Sequence, residues 1–298
     1  TLFCPGCGWT ADCPRCDARL TLHQRPDGLQ CHHCGHRSAR TAACPDCGEE
    51  PVAAGQGTER IEEALTRHFP EAPLARLDRD TVRSRGEVEA VLAGMRDGHT
   101  RLLVGTQMLT KGHDFPGVTL VGVLNADQGL FGTDFRSDER LAQTILQVSG
   151  RAGRRDRPGE VLLQTSFPEH PLLACLIDGG YEDFARQALT HRSAAGWPPF
   201  AHLALVRAEA VARAEPQDFL AACAGLARDL LPATVRILGP APSPMERRQG
   251  RYRAQLLLQT TERPALRRAL PALLEAIAAL PAARRVRWSL DVDPGELF

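Results

Sequence analysis

The stretch Leu102-Leu103-Val104-Gly105-Thr106-Gln107-Met108-Leu109-Thr110-Lys111-Gly112-His113-Asp114 carries the signature of an α/β architecture. A short apolar run gives way, at a glycine and a hydroxyl, to a polar loop, as when a buried strand ends in a turn. Backbone N–H groups in such a loop suit a phosphate, although an ordinary strand-to-helix turn reads the same way. The flanking sequence repeats the alternation. Ile61, Ala64, Leu65 and Phe69 have helical spacing between Thr58, which can serve as a cap, and Pro70. A short strand is expected at 74–77, and Val88, Val91, Leu92 and Met95 share one face of a second helix. Further strands are expected at 101–104, 118–124 and 160–165. Strands alternating with helices make a mostly parallel α/β sheet, whose loops at the strands' C-terminal ends carry function.

Downstream lies Gln147-Val148-Ser149-Gly150-Arg151-Ala152-Gly153-Arg154-Arg155. Arg151 and Arg154, three apart at a helix end, share a face and can clamp a triphosphate with bidentate bonds; a solvated basic turn is the plainer alternative. A phosphate-binding P-loop needs Gly-Lys-Ser/Thr. Lys111 is the only lysine among 36 basic residues and is followed by Gly112, so these 298 residues hold no P-loop.

Upstream, eight of the ten cysteines form Cys4-x-x-Cys7, Cys13-x-x-Cys16, Cys31-x-x-Cys34 and Cys44-x-x-Cys47. Each such turn aims two thiolates at one point, and two turns complete a tetrahedral zinc site. Disulfides are the alternative, but a chain without a leader belongs in a reducing cytosol, where clustered cysteines bind metal. The spacing between Cys16 and Cys31 favours Cys13, Cys16, Cys31 and Cys34 as one zinc site. The outer turns, Cys4, Cys7, Cys44 and Cys47, then form the second, nested around it. Two Zn2+ per chain are expected, with His23, His32, His33 and His36 left as solvent-facing or outer groups. So small a Gly- and Pro-rich segment buries little core, and metal supplies most of its folding energy. Cys175 and Cys223 sit in apolar, helical surroundings and read as core.

Beyond a helical pair at 170–195, the tail reads as strand 203–208, helix 216–231, strand 235–238, strand 252–260, helix 262–280 and strand 286–292. That order is the ferredoxin-like split βαβ unit. Arg247, Arg248, Arg251 and Arg253 cluster at one hairpin around Tyr252. A basic loop with an aromatic suits branched or single-stranded DNA, while a solvated Arg-rich hairpin is the bland reading. The formal net charge is zero, so any nucleic-acid contact must come from such a local patch. No apolar run approaches the roughly 20 residues that span a bilayer. A cytoplasmic protein with no membrane partner is expected, in three parts: a two-zinc module at 1–50, an α/β lobe at 51–196 and a ferredoxin-like α+β domain at 197–298.

Taken together, 106–112 followed by 147–154 resemble motifs V and VI of superfamily 2 helicases, found in the second RecA-like lobe. The knuckles, Gly57-Thr58-Glu59 and Asp134-Phe135-Arg136-Ser137-Asp138-Glu139-Arg140 narrow the likeness. From Cys4 to about Pro294 the chain resembles the C-terminal half of the PriA (primosomal protein N′) family, bacterial replication-restart helicases. The resemblance implies that the zinc module is an insertion with nested knuckles in the second lobe. It places Thr106 and Lys111 near the DNA backbone and makes the tail a DNA-junction binder. It casts Arg151 and Arg154 as arginine fingers toward ATP on the other lobe. It further implies recognition of abandoned forks, reloading of the replicative helicase, and work at the nucleoid with single-strand-binding and helicase-loading proteins.

The sequence departs from the family in four ways. The first lobe, with its P-loop and DEAH-type acidic box, has no counterpart here. Ser137-Asp138-Glu139-Arg140 follows a polar turn rather than a buried strand and is not that box. The second lobe's first strand is missing before Cys4, and Asn125 stands where an aspartate is expected. ATP and Mg2+ are therefore expected only with an upstream lobe. Two classes follow: the C-terminal part of an ATP-driven 3′→5′ helicase, or a DNA-structure binder and primosome scaffold without ATPase activity.

Overall fold

The computed structural model describes residues 1–24, 27–53, 57–78, 81, 84–106, 117–132, 134–150 and 159–297. The chain divides into two compact units, residues 1–54 with 190–298, and residues 55–189.

The cysteine-rich module contains β1 (Leu2–Phe3), β2 (Thr21–Gln24), β3 (Asp27–Gln30), β4 (Arg37–Ser38) and β5 (Val52–Ala53). Its ends are tied by antiparallel pairing of β1 with β5, Leu2 opposite Ala53 and Phe3 opposite Val52. Between them β2, β3 and β4 form a three-stranded antiparallel sheet. Four aliphatic residues, Leu2, Ala11, Leu20 and Leu29, are buried together with Cys13, Cys16 and Cys31.

The middle unit runs α1 (Thr58–His68), β6 (Leu74–Leu77), α2 (Arg85–Arg96), β7 (Leu102–Gly105), β8 (Leu120–Val123), α3 (Asp127–Leu130), α4 (Ser137–Ser149), β9 (Glu160–Leu163), α5 (Pro171–Asp178) and the first part of α6 (Gly180–Ala195), which passes into the other unit at residue 190. β6 pairs in parallel with β7, and β8 with β9, in agreement with the α/β reading. α2 starts with a capping box in which Ser84 and Glu87 satisfy each other's backbone N–H groups. At α1 the expectation fails: Gly57 occupies the cap position, with no side-chain cap bond. The Thr58 hydroxyl instead donates to Asp78 Oδ2 at 2.6 Å. A charge-assisted bond to a buried carboxylate outweighs a neutral capping bond.

The tail contains β10 (His202–Ala210), α7 (Ala214–Leu230), β11 (Arg236–Arg248), β12 (Arg251–Thr260), α8 (Arg263–Ala279) and β13 (Arg287–Val292). Its antiparallel sheet has the order β11-β12-β10-β13, the ferredoxin-like arrangement. Ala204, Val206 and Ala208 of β10 and Leu256 and Leu258 of β12 pack against Phe219 and Leu220 of α7 and Leu273 and Ile277 of α8. Each fully buried large side chain here contributes about 1.5–3 kcal/mol. β11 runs ten residues past the expected strand end at 238. It is an edge strand, so Pro240, Pro242 and Pro244 cost no essential ladder bond. Gly239 makes the passage possible: its φ is 111°, and a Cβ there would lie 2.9 Å from the Gln255 carbonyl oxygen.

Candidate metal centres and nucleic-acid interface

The fold gathers the eight cysteines into two groups of four, Cys4, Cys7, Cys44 and Cys47, and Cys13, Cys16, Cys31 and Cys34, with the sulfurs of each group within 4.8 Å of one another. Cys4 and Cys47 are 3.4 Å apart, Cys7 and Cys44 3.5 Å, and Cys13 and Cys34 3.6 Å. Four thiolates at about 2.3 Å from one zinc ion would stand about 3.8 Å apart, so both groups fit tetrahedral zinc. In the outer group Cys7 and Cys47 are exposed; in the inner one Cys13, Cys16 and Cys31 are buried and Cys34 is half-buried. The histidines are not among the clustered ligands; the rings of His23 and His32 meet edge to face.

The donors themselves call for a cation. Cys4 is drawn down to about 7 by the Cys7 amide. Cys47, although the Glu49 amide favours its thiolate, is pushed up to about 12 by Cys4, by burial and by its other thiol neighbours. Burial pushes Cys16 up to about 12. Four thiols facing one point cannot all ionise unless a positive ion joins them, and a divalent metal displaces their protons.

Three knuckles close by the same local device. Gly8, Gly35 and Gly48 follow the second cysteine with φ of 80°, 73° and 82°, and each donates its amide to the carbonyl of the first cysteine. The fourth knuckle, Cys13-Pro14-Arg15-Cys16, is followed by Asp17. Its amide donates to the Arg247 carbonyl at 2.8 Å, and the amide of Gly250 donates to the Arg15 carbonyl at 2.7 Å. The Gln249 amide donates to Cys16 Sγ at 3.2 Å.

The basic hairpin expected to meet DNA is thus partly committed to the zinc module. The Arg247 amide donates to Asp17 Oδ2 at 2.5 Å and its guanidinium to the Cys13 carbonyl at 3.4 Å. Arg248 is exposed at the tip, opposite Arg251 in register, and Arg253 is half-buried farther along β12. Burial works against the charge of Arg253, and Arg248 and Arg207 add to that effect. Tyr252 is half-buried with the Arg213 guanidinium 6.0 Å from its ring centre, and Glu246 holds Arg213 by two bonds of 2.8 and 3.1 Å.

In the middle unit, the C-terminal ends of the parallel strands carry the polar groups. Leu77 and Gly105 are register partners, which sets buried Asp78 and exposed Thr106 at neighbouring strand ends. Asp78 accepts from Thr58 and from the Thr81 amide, and Arg76 bridges it to Glu59 and Glu62 at 3.3, 3.5 and 3.1 Å. This network escaped sequence reasoning, because Arg76 and Asp78 lie in a strand-end stretch without motif spacing. At the other pair, Asp127 accepts from the Thr165 hydroxyl and the Ser166 amide, which hold its carboxyl below the usual range. Asn125 has φ 55°, a conformation asparagine and aspartate share, so its place in an aspartate's position costs the backbone nothing. Lys111, Arg151 and Arg154 lie outside the described residues.

Three family models match separate stretches of the chain. Residues 193–295 match the family model of the primosomal protein N C-terminal domain, 13–38 that of the PriA DNA helicase Cys-rich region, and 52–156 the helicase conserved C-terminal domain. Replication restart protein PriA of Haemophilus influenzae is 44% identical over 297 residues, which covers 99% of this chain and 40% of the relative. Its namesakes in Bacillus subtilis and Treponema pallidum are 39% and 38% identical, covering 98% of this chain and 36% and 44% of their own lengths. The chain spans less than half the length of these curated relatives. It belongs to the PriA family and corresponds to the C-terminal part of those proteins.

Proposed function

We propose that this chain is the DNA-binding part of a replication-restart protein that recognises stalled or abandoned forks and promotes reloading of the replicative helicase. The observation that supports it best is the basic tip of the tail. Arg248 and Arg251 face each other across the end of a hairpin fixed on a rigid sheet, with Arg253 two residues on. Paired guanidiniums on a stiff support suit the closely spaced phosphates of branched or single-stranded DNA. Arg247 and Tyr252 belong to the same nucleic-acid-binding hairpin, and Thr106 with Lys111 offer a second backbone contact. In this reading the parts are a two-zinc module at 1–50, a helicase lobe at 51–196 and a DNA-binding domain at 197–298. Single-strand-binding and helicase-loading proteins would be its partners at the cytoplasmic nucleoid.

Fluorescence anisotropy with forked DNA across a salt series tests this. Each phosphate contact contributes roughly 0.9 to the slope of log affinity against log salt on duplex. Arg248→Ala with Arg251→Ala should weaken binding and flatten the slope by about one to two. Unchanged affinity and slope would make the hairpin a solvated turn.

The match of 52–156 to a helicase C-terminal domain favours a second reading, the rear half of an ATP-dependent 3′→5′ helicase. Arg151 and Arg154 would then reach ATP and Mg2+ held by a P-loop lobe. This chain alone should hydrolyse no ATP. Joined to such a lobe, it should show DNA-stimulated hydrolysis that Arg151→Ala and Arg154→Ala abolish.

A further inference from the structure

We infer that the inner cysteine cluster is completed by two domains at once: the β11–β12 hairpin is a latch on the Cys13–Cys16 knuckle, and latch and metal strengthen each other. The inference rests on zinc filling both clusters and is independent of the DNA-binding reading.

One knuckle differs from the other three. Three knuckles end in a left-handed glycine and need nothing from outside to close. The fourth ends in Asp17, and the Cys13 carbonyl, the acceptor that a glycine amide meets in the other three, takes a bond from the Arg247 guanidinium at 3.4 Å. Four backbone amides donate across the contact, Asp17 to the Arg247 carbonyl, Arg247 to Asp17 Oδ2, Gly250 to the Arg15 carbonyl and Gln249 to Cys16 Sγ. Side chains add a bond from Gln249 Nε2 to the His33 carbonyl at 3.3 Å and the approach of Arg247 Nε to Asp17 Oδ1 at 3.7 Å. Among the described residues, each of these contacts ends on residues 13–17 or on His33 beside Cys34, and none of them on the outer cluster's knuckles.

The hairpin is built to hold that pose. Gln249 and Gly250 have φ of 54° and 79°, the pattern of a tight two-residue turn whose twist matches its strands. The Gln249 amide therefore points at the sulfur without further ordering. A metal-bound thiolate carries more charge than a thiol and accepts that bond more strongly; outer partners of this kind are worth about 10–100-fold in metal affinity. Linkage makes the effect reciprocal: what the latch adds to metal affinity, the metal adds to latching. Loss of the inner metal would free the hairpin, while loss of the outer one would leave it seated.

The test uses the full chain loaded with zinc. Metal content is read first; fewer than two zinc ions per chain would overturn the metal reading and the latch with it. Zinc release to a chromogenic chelator should then show two phases, assigned with Cys47→Ser, which removes the outer site. Arg247→Ala combined with Asp17→Ala keeps all eight ligands. It should speed inner release about 10-fold or more and change the outer phase less than 2-fold. Equal acceleration of both phases, or of neither, would overturn the latch. In the reverse direction, Cys34→Ser should raise amide exchange at 247–251, and Cys47→Ser should not. Exchange in β10 reports whether the tail is still folded. If Cys34→Ser misfolds, stepwise chelation of the wild-type chain gives the same readout, and a hairpin protected after inner metal loss would sink the proposal.

Discussion

The cysteine-rich module and the tail pack into one unit yet are held together by opposite means. The tail buries Phe219, Leu220, Leu256, Leu258, Leu273 and Ile277 between one sheet and two helices, all at 1% exposure or less. The module has short strands and, among its described residues, four buried aliphatic side chains, and its centre is filled largely by the cysteines. Burial scales with chain length, and some fifty residues cannot enclose a core that offsets their conformational entropy. The two regions therefore store the information for their folds differently. In the tail it is spread over many apolar positions; in the module it is concentrated in eight thiols and the turns that aim them.

The largest expected effect follows from that concentration. Structural zinc supplies about 10–16 kcal/mol of folding free energy in small domains at neutral pH. Stripping metal from the whole chain should therefore abolish amide protection across residues 1–53 while β10 and β12 keep theirs. Hydrogen exchange before and after chelation checks it. A module that stays protected without metal would show that its apolar residues suffice, and the contrast would collapse.

A smaller effect probes the other side. Phe219→Ala removes a ring from the tail's centre and should lower its unfolding free energy by about 3–5 kcal/mol. Zinc content should remain that of the wild type under conditions where the tail is still folded, since none of the ligands comes from that core. Leu29→Ala in the loaded module should cost only about 2 kcal/mol, at the low end for a buried leucine, because metal bonds bear the rest. Denaturant titrations of both variants, followed by signals specific to each part, measure the two costs; equal losses would show that the module and the tail rest on their apolar cores alike.

Legibility in the sequence follows the same divide. Cysteine spacing revealed both metal groups, because ligand chemistry fixes which residues meet whatever the intervening chain does. The tail's periodicity revealed its order of elements, yet not the reach of β11 to Arg248, because proline normally ends a strand and only its edge position relaxes the rule. The cap at Thr58 was misjudged for a different reason. Asp78 is twenty residues away, and its competing claim on the hydroxyl is visible only once β6 lies beside α1. Likewise no local pattern shows that Arg247 and Gln249 face the knuckle of Cys13 and Cys16, more than two hundred residues earlier.

The smallest effect concerns the glycines, where the two regions differ again. Gly48 has φ 82°, and a Cβ there would meet nothing within 4 Å, so Gly48→Ala costs only the left-handed backbone, about 1–2 kcal/mol. Gly239 has φ 111° and would also press a Cβ to within 2.9 Å of the Gln255 carbonyl oxygen, within the sheet itself. Gly239→Ala must therefore shift β11 against β12 and cost more than Gly48→Ala. The readouts differ as well as the sizes. Gly48→Ala strains the turn that aims Cys44 and Cys47, so it should appear as faster zinc release from the outer cluster with the tail's melting unchanged. Gly239→Ala should lower the tail's melting with outer release unchanged. If Gly48→Ala left zinc release at the wild-type rate, the turn would not be what positions those thiolates, and the metal alone would be imposing the knuckle's shape.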